Sequence, residues 1–262
     1  MELTIKEVEK KINNFEGCDR KRLNRLYEYY IGRHNILNTN KPKGKPNNRL
    51  VINYAKNIVN NTTGYYLGVP VTYTSQDSEL SDAINNILEL NDDSFHNVRI
   101  GKDLSVFGRA AEIVFIDEAL NIRYKKINPM NLIPVYTDDI EKKLVCAIRW
   151  YDVFDDDRRH TRYIEQYTSN EIIYYVQQNG GNIRFSDRKT HFFGDVPINI
   201  YSNNDDEMGD YEDVISLIDA YNIMQSESVN DFQKFADALL AIKNTVVDDE
   251  TANQMRDKNI LE

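Results

Sequence analysis

Apolar residues recur at intervals of three and four over roughly the first hundred positions, and the periodicity changes after Gly108. Leu3, Ile5, Val8 and Ile12 line one side of a first helix, which Thr4 caps with Glu7 three residues on, the spacing of a capping box. Leu23, Leu26, Tyr27 and Tyr30 predict a second helix over Arg20 to Ile31, stopped by Gly32. The polar stretch Asn38 to Asn48, with two prolines and a glycine, reads as an exposed loop. Val51, Ile52, Ala55, Ile58 and Val59 then predict a helix over Arg49 to Leu67, followed by a strand from Val69 to Thr74 and short helices over Ser78 to Leu90 and Phe95 to Val106.

Beyond Gly108, six segments rich in Tyr, Ile, Val and Phe predict strands: Arg109 to Ile116, Ile122 to Ile127, Leu144 to Phe154, Arg159 to Thr168, Glu171 to Gln178 and Asn182 to Phe193. Turn residues separate them, most clearly Asn179-Gly180-Gly181, where a tight hairpin requires positive φ. A last long helix is predicted from Asp210 to Phe235, with Tyr211, Val214, Leu217, Ile218, Tyr221, Met224, Phe232 and Phe235 as the stripe to be buried. The expected fold is α+β: helices packed on an antiparallel strand meander, then a long helix. Trp150 and many tyrosines are expected in or beside the core.

The long helix carries Glu212, Asp213, Asp219, Glu227 and Asp231 and meets no basic residue until Lys234. Surface helices usually mix signs, since pairs of opposite charge four apart add a few tenths of a kcal/mol each. Its carboxylates are therefore expected to be unpaired, and from charge alone a solvated acidic face is the reading to prefer. The net charge of -10 and pI near 5.0 argue against a protein that grips nucleic acid by neutralising phosphates. Basic residues concentrate in the first fifty positions, from Lys6 to Arg49, and read as the solvated side of helices and a loop.

Cys18 and Cys146 stand far apart, in no metal-like spacing, so neither a disulfide framework nor a zinc site is expected, and a reducing cytoplasm is the expected setting. No apolar run approaches the ~20 residues that span a bilayer, and the charged N-terminus is unlike a signal peptide. GYYLG lacks the Gly-Lys-Ser/Thr ending of a phosphate loop. Asp155, Asp156 and Asp157 offer carboxylates for magnesium, but consecutive side chains on an extended chain point to opposite sides, so a polar loop is expected. The stretch NNDDEMGD, ending at Asp210, reads as a helix cap. His34, His96, His160 and His191 stand in no recognisable triad. No catalytic residue, cofactor site or metal site is expected.

Three stretches carry a resemblance that spans most of the chain. They are YYIGRHNILN with KPNNRLVINYAKNIVNNTTGYYLGVPVTY, residues 29 to 73; GRAAEIVFID to INPMNLIPVY, residues 108 to 136; and VPINIYSNNDDEMGDYEDVISLIDAYNIMQSESVNDFQKFADALLAIKN, residues 196 to 244. Together they resemble the portal proteins of tailed bacteriophages, in the class common in long-tailed phages of AT-rich hosts. The abundance of Asn, Ile, Lys, Asp and Tyr agrees with an AT-rich genome.

The resemblance implies a wing domain over 1–205, a stem helix over 206–236 and the start of a clip domain over 237–262. It implies a clip strand over Ala238 to Val246, a clip helix over Asp248 to Lys258, and a clip surface of Asp248, Asp249, Glu250, Arg256 and Lys258 facing the terminase. The family's second stem helix, tunnel helix and crown find no match, so the chain is expected to be a fragment or the product of a truncated gene, monomeric or weakly associated by itself.

The resemblance also implies a ring of copies, dodecameric in the virion, through which double-stranded DNA passes without sequence-specific binding. Expected partners are the terminase large subunit, head-completion or adaptor proteins, and scaffolding or capsid proteins. The expected location is the capsid portal vertex, after assembly in the host cytoplasm and with no membrane. Glu212, Asp213, Asp219, Glu227 and Asp231 become candidates for a channel-facing surface that repels phosphate. The alternative is a magnesium-dependent nuclease or other phage enzyme, using Asp155 to Asp157.

Overall fold

The computed structural model describes residues 2–42, 45–156, 158–236, 240–241 and 260–261, with side chains as far as residue 235. The chain divides into two units, one of Met1–Ile31 with Ala55–Asp213 and one of Gly32–Tyr54 with Val214–Glu262. The architecture is α+β with antiparallel sheets, as the strand pattern predicts.

The first unit begins with α1 (Ile5–Gly17) and α2 (Asp19–Tyr30). The predicted capping box is formed: Thr4 N donates to Glu7 Oε2 at 2.8 Å, and Glu7 N donates back to Thr4 Oγ1 at 3.4 Å. Helices α3 (Tyr54–Leu67), α4 (Ser78–Asn91) and α5 (Asp93–Phe107) follow. Then come β1 (Arg109–Ile116), β2 (Ile122–Ile127), β3 (Leu132–Tyr136), β4 (Leu144–Phe154), β5 (His160–Tyr167), β6 (Glu171–Gln178), β7 (Arg184–Thr190) and β8 (Ile198–Ser202). Strands β3 to β7 form a five-stranded meander in chain order, and β1 lies between β2 and β8 in a second sheet of three. Asn179 and Gly180, both at positive φ, make the turn between β6 and β7.

Ala111, Ile127 and Ile198 from the smaller sheet pack with Leu132, Ala147 and Tyr167 from the larger in one core cluster. Trp150 is fully buried on β4 and meets Phe15 of α1 edge to face, with ring centroids 5.5 Å apart. Tyr29, Tyr167, Tyr175 and Tyr211 are also buried, in line with the expected tyrosine-rich core.

Three local expectations are corrected. The helix predicted from Arg49 starts only at Tyr54, because the backbone donors of the preceding residues are taken by distant side chains, as described below. Val69 to Thr74 forms no strand: Val69 lies in a bend and the rest has no regular structure. Strand β3, which contains Pro134, was not among the predicted strands; the proline is tolerated because β3 is an edge strand.

A charged cluster lies between α5 and the smaller sheet. Glu112 on β1 accepts from Tyr201 Oη at 2.7 Å and Asn199 Nδ2 at 2.9 Å, and lies 2.6 Å from His96 Nε2. Burial pushes this carboxyl up, but the hydrogen bonds from Asn199, Tyr201 and His96 outweigh it and hold it below its ordinary value of 4.5. A lowered folded value means that stabilisation is complete above the ordinary range and is lost as pH falls through the lowered one. Glu112→Gln should therefore flatten the acid side of a stability profile measured by urea unfolding. A variant that keeps the full acid slope would assign it to other carboxylates.

Candidate functional site

In the first unit, the stretch from Asn203 to Glu212 folds as a clamp rather than as a simple helix cap. Asn203 N donates to Gly108 O at 2.8 Å, and Asp210 N donates to Ser105 O at 2.8 Å. Ser105 Oγ returns a bond to Asp210 Oδ2 at 2.6 Å, and Asn203 Nδ2 donates to Asp210 Oδ1 at 2.8 Å. The approach is close enough to require glycine: a Cβ on Gly108, which sits at φ 78°, would fall 1.9 Å from Glu207 O.

Two arginines hold the end of this clamp. Arg22 of α2 grips Glu212 with two bonds, Nε to Oε1 at 2.6 Å and Nη2 to Oε2 at 2.5 Å, and also donates to Glu207 O at 2.8 Å. The bond to Glu212 raises the Arg22 pKa. Arg109 lies over the Phe15 ring at 5.5 Å and 3.7 Å from Glu207; burial is the main cause that lowers its pKa. Tyr211, fully buried, donates to Leu26 O at 2.6 Å.

The second unit is built on α6 (Ile215–Ala236), which a 3-10 turn over Glu212–Val214 precedes. Its buried face carries Ile215 and Ile218, then Asn222, Ser226 and Asn230. These three polar side chains hold an extended strap. Asn222 Oδ1 accepts from Ile52 N at 2.9 Å, Ser226 Oγ from Leu50 N at 3.0 Å, and Asn230 Oδ1 from Asn48 N at 2.8 Å. The periods match: two residues of extended chain span about 6.6 Å and four residues of helix about 6 Å. Asn222 Nδ2 also lies 2.8 Å from Nδ1 of the buried His34.

The opposite face of α6 corrects the predicted stripe. Tyr211 and Ile218 are buried as expected, but Leu217, Met224, Phe232 and Phe235 are 67%, 54%, 76% and 80% exposed. Helical spacing finds an apolar stripe without saying what covers it, and the small polar residues took the inner face.

The acidic residues are also not the unpaired set that local spacing suggests. Glu212 is held by Arg22, 190 positions away, and Glu227 accepts two bonds from Lys41, 186 positions away. The Lys41 bond is the main cause that lowers the Glu227 carboxyl. Asp231 is paired with Lys234 at 2.8 Å and is lowered by that bond, and Asp219 accepts from Asn35 Nδ2 at 2.9 Å. Asp213 is exposed. Leu240–Ala241 and Ile260–Leu261 pair as short parallel strands. The clip candidates Asp248, Asp249, Glu250, Arg256 and Lys258, and the helix predicted there, lie outside the described residues.

The histidines each meet a structural partner: beyond His34 and His96, His160 Nε2 lies 2.8 Å from Asp152, and His191 Nε2 lies 3.0 Å from Thr168 O. Asp155 caps its own loop by accepting from Arg159 N at 2.7 Å, and Asp157 lies outside the described residues.

A profile of the family described as "Phage portal protein, SPP1 Gp6-like" matches residues 9–262. The chain belongs to this phage portal protein family. It is 28% identical over 215 residues to the portal protein of Bacillus phage SPP1, covering 76% of this chain and 42% of that protein. It is 23% identical over 255 residues to the portal protein of Clostridium phage phiCD119 (strain Clostridium difficile/United States/Govind/2006), covering 87% of this chain and 56% of that one. The chain thus spans about half the length of these portal relatives. The portal family is structural, and nothing in these matches supports the nuclease alternative.

Sequence reasoning missed the strap and its three ligands. The signal was present as Asn222, Ser226 and Asn230, small polar residues four apart on one helix face.

Proposed function

We propose that the chain supplies the wing (1–205), the stem helix (206–236) and the start of the clip (237–262) of a portal subunit. Copies close into a ring, dodecameric in the virion, through which double-stranded DNA enters and leaves the capsid. The role is structural and non-enzymatic, and the motor is the separate terminase. The clip, with Asp248, Asp249, Glu250, Arg256 and Lys258, faces the terminase large subunit and then head-completion or adaptor proteins. Scaffolding or capsid proteins surround the wing. The ring is assembled in the host cytoplasm and resides at the capsid vertex.

The observation that carries the reading is the family match over residues 9–262. The uncovered apolar stripe of Leu217, Met224, Phe232 and Phe235 supports it, because a ring covers in its neighbours what a lone copy leaves in water. The acidic residues keep a reduced role. Glu212, Glu227 and Asp231 are already paired and Asp219 accepts from Asn35, so the exposed Asp213 carries most of any repulsion of a duplex. Screening over about 8 Å at physiological salt limits that to carboxylates close to the channel.

The test is electron microscopy of the protein expressed from its intact gene. Rings with a central channel are expected, with Asp213 toward that channel. A monomeric product overturns the ring, and rings whose density turns this carboxylate outward overturn the acidic lining alone.

A further inference from the structure

We propose that α4 and the irregular segment before it form a docking arm, received by a cationic pocket between α2, α5 and β2 of a second copy of this chain. The proposal rests on the ring reading above and gives that ring a specific contact within its wing.

In its own copy the arm helix packs only lightly, with Ile84, Ile87 and Leu88 half-buried and Asn91 tied to β2. Leu80, Ile84, Ile87 and Leu88 recur at helical spacing, yet Asn91 is the one buried residue of α4. Asp77 caps it, accepting from Glu79 N at 3.0 Å and Leu80 N at 3.2 Å. A helix of 14 residues is marginal in water unless its apolar side packs on something. The segment leading to it exposes Val69, Val71 and Tyr73. The arm is also of one sign. Between Lys56 and Arg99 there is no lysine or arginine, and Glu79, Asp82 and Glu89 are exposed with no ion-pair partner among the described residues.

The pocket has the opposite character. Tyr27, Tyr30, Arg99, Lys102, Asp103 and Lys126 line a cavity of about 200 Å³. Lys126 Nζ donates to the buried Asp103 at 2.6 Å, which leaves three cations against one carboxylate. Arg99 lies over the Phe95 ring at 5.5 Å, and neither Arg99 nor Lys102 has an ion-pair partner among the described residues. The volume suits one acidic side chain; small-molecule sites run from about 300 Å³ upward. A carboxylate presented by a protein surface is therefore the ligand that fits.

The partner is the same chain because the two faces complement each other and because a ring is a heterologous assembly, in which each copy shows different faces to its two neighbours. Copies with a net charge of -10 repel on average, so a contact between them needs a local acceptor of positive sign.

The experiment uses the product of the intact gene and follows association by sedimentation across a concentration series. One variant reverses the arm, Glu79→Lys with Asp82→Lys, and another reverses the pocket, Arg99→Glu with Lys102→Glu. Each alone should associate about tenfold more weakly than the parent. Their equimolar mixture should recover the parent's association, because a reversed arm meets a reversed pocket and an original arm meets an original pocket. Arg99→Glu alone, at an exposed position, repeats the test without disturbing the half-buried Lys102. If the parent associates and both variants match it, or the mixture fails to recover, the arm is wrong while the ring stands. A parent that stays monomeric overturns the ring reading, and this contact with it.

Discussion

Gly108→Ala should lower the unfolding free energy by about 3 kcal/mol, combining the left-handed backbone penalty with the overlap of an extra carbon. Gly108 sits at φ 78°, where an alanine side chain costs about 1 kcal/mol or more before any contact is counted. The new Cβ then meets Glu207 O at 1.9 Å, Glu207 C at 2.3 Å and Met208 C at 2.7 Å, all backbone atoms that cannot swing aside. Relief requires moving the stretch that Asn203, Ser105, Asp210 and Arg22 pin in place. Gly180→Ala is the control, because Gly180 has a comparable φ of 69° and nothing within 4 Å of its Cβ. That variant should lose only the backbone penalty, about 1 kcal/mol. Urea unfolding of both variants separates the two contributions. Equal losses would mean that the clamp yields freely, and the close approach would then contribute nothing to holding Glu212.

Much of the first unit was legible in the sequence because its signals are local. The capping box of Thr4 and Glu7 and the Asn179-Gly180 turn each need only a few adjacent residues, and each is formed as read. Legibility failed where a distant segment decides. Residues 49 to 53 have helical spacing, but the donors of Asn48, Leu50 and Ile52 are claimed from about 170 or more positions away. The same holds for the acidic helix, since i to i+4 arithmetic cannot see Arg22 or Lys41. The strand predicted from Val69 was a different failure: β propensity identifies a chain that fits a sheet, but not whether an edge is free to receive it. For α6, the eight apolar residues were counted and the three small polar ones were not. Burial followed the hydrogen-bonding needs of the strap rather than hydropathy.

That inversion makes the largest prediction for the second unit. Replacing Asn222, Ser226 and Asn230 together by alanine should open the strap, at a cost of roughly 3 kcal/mol, or about 1 kcal/mol for each acceptor lost at this partly buried depth. Alanine is the better helix former and leaves the face smooth, so α6 itself should persist. What disappears is every side-chain acceptor for the alternate backbone donors of Asn48, Leu50 and Ile52. Hydrogen exchange at those three amides should therefore rise steeply while exchange along α6 changes little. Ser228→Ala is the control: its hydroxyl bonds back to Met224 O at 2.9 Å on the exposed side, and its loss should leave the strap closed. The outward residues Leu217, Met224, Phe232 and Phe235 are untouched, so self-association through them should survive opening of the strap. If exchange at Leu50 and Ile52 stays slow in the triple variant, the strap is held by its own side chains, and the polar face of α6 has another reason to exist.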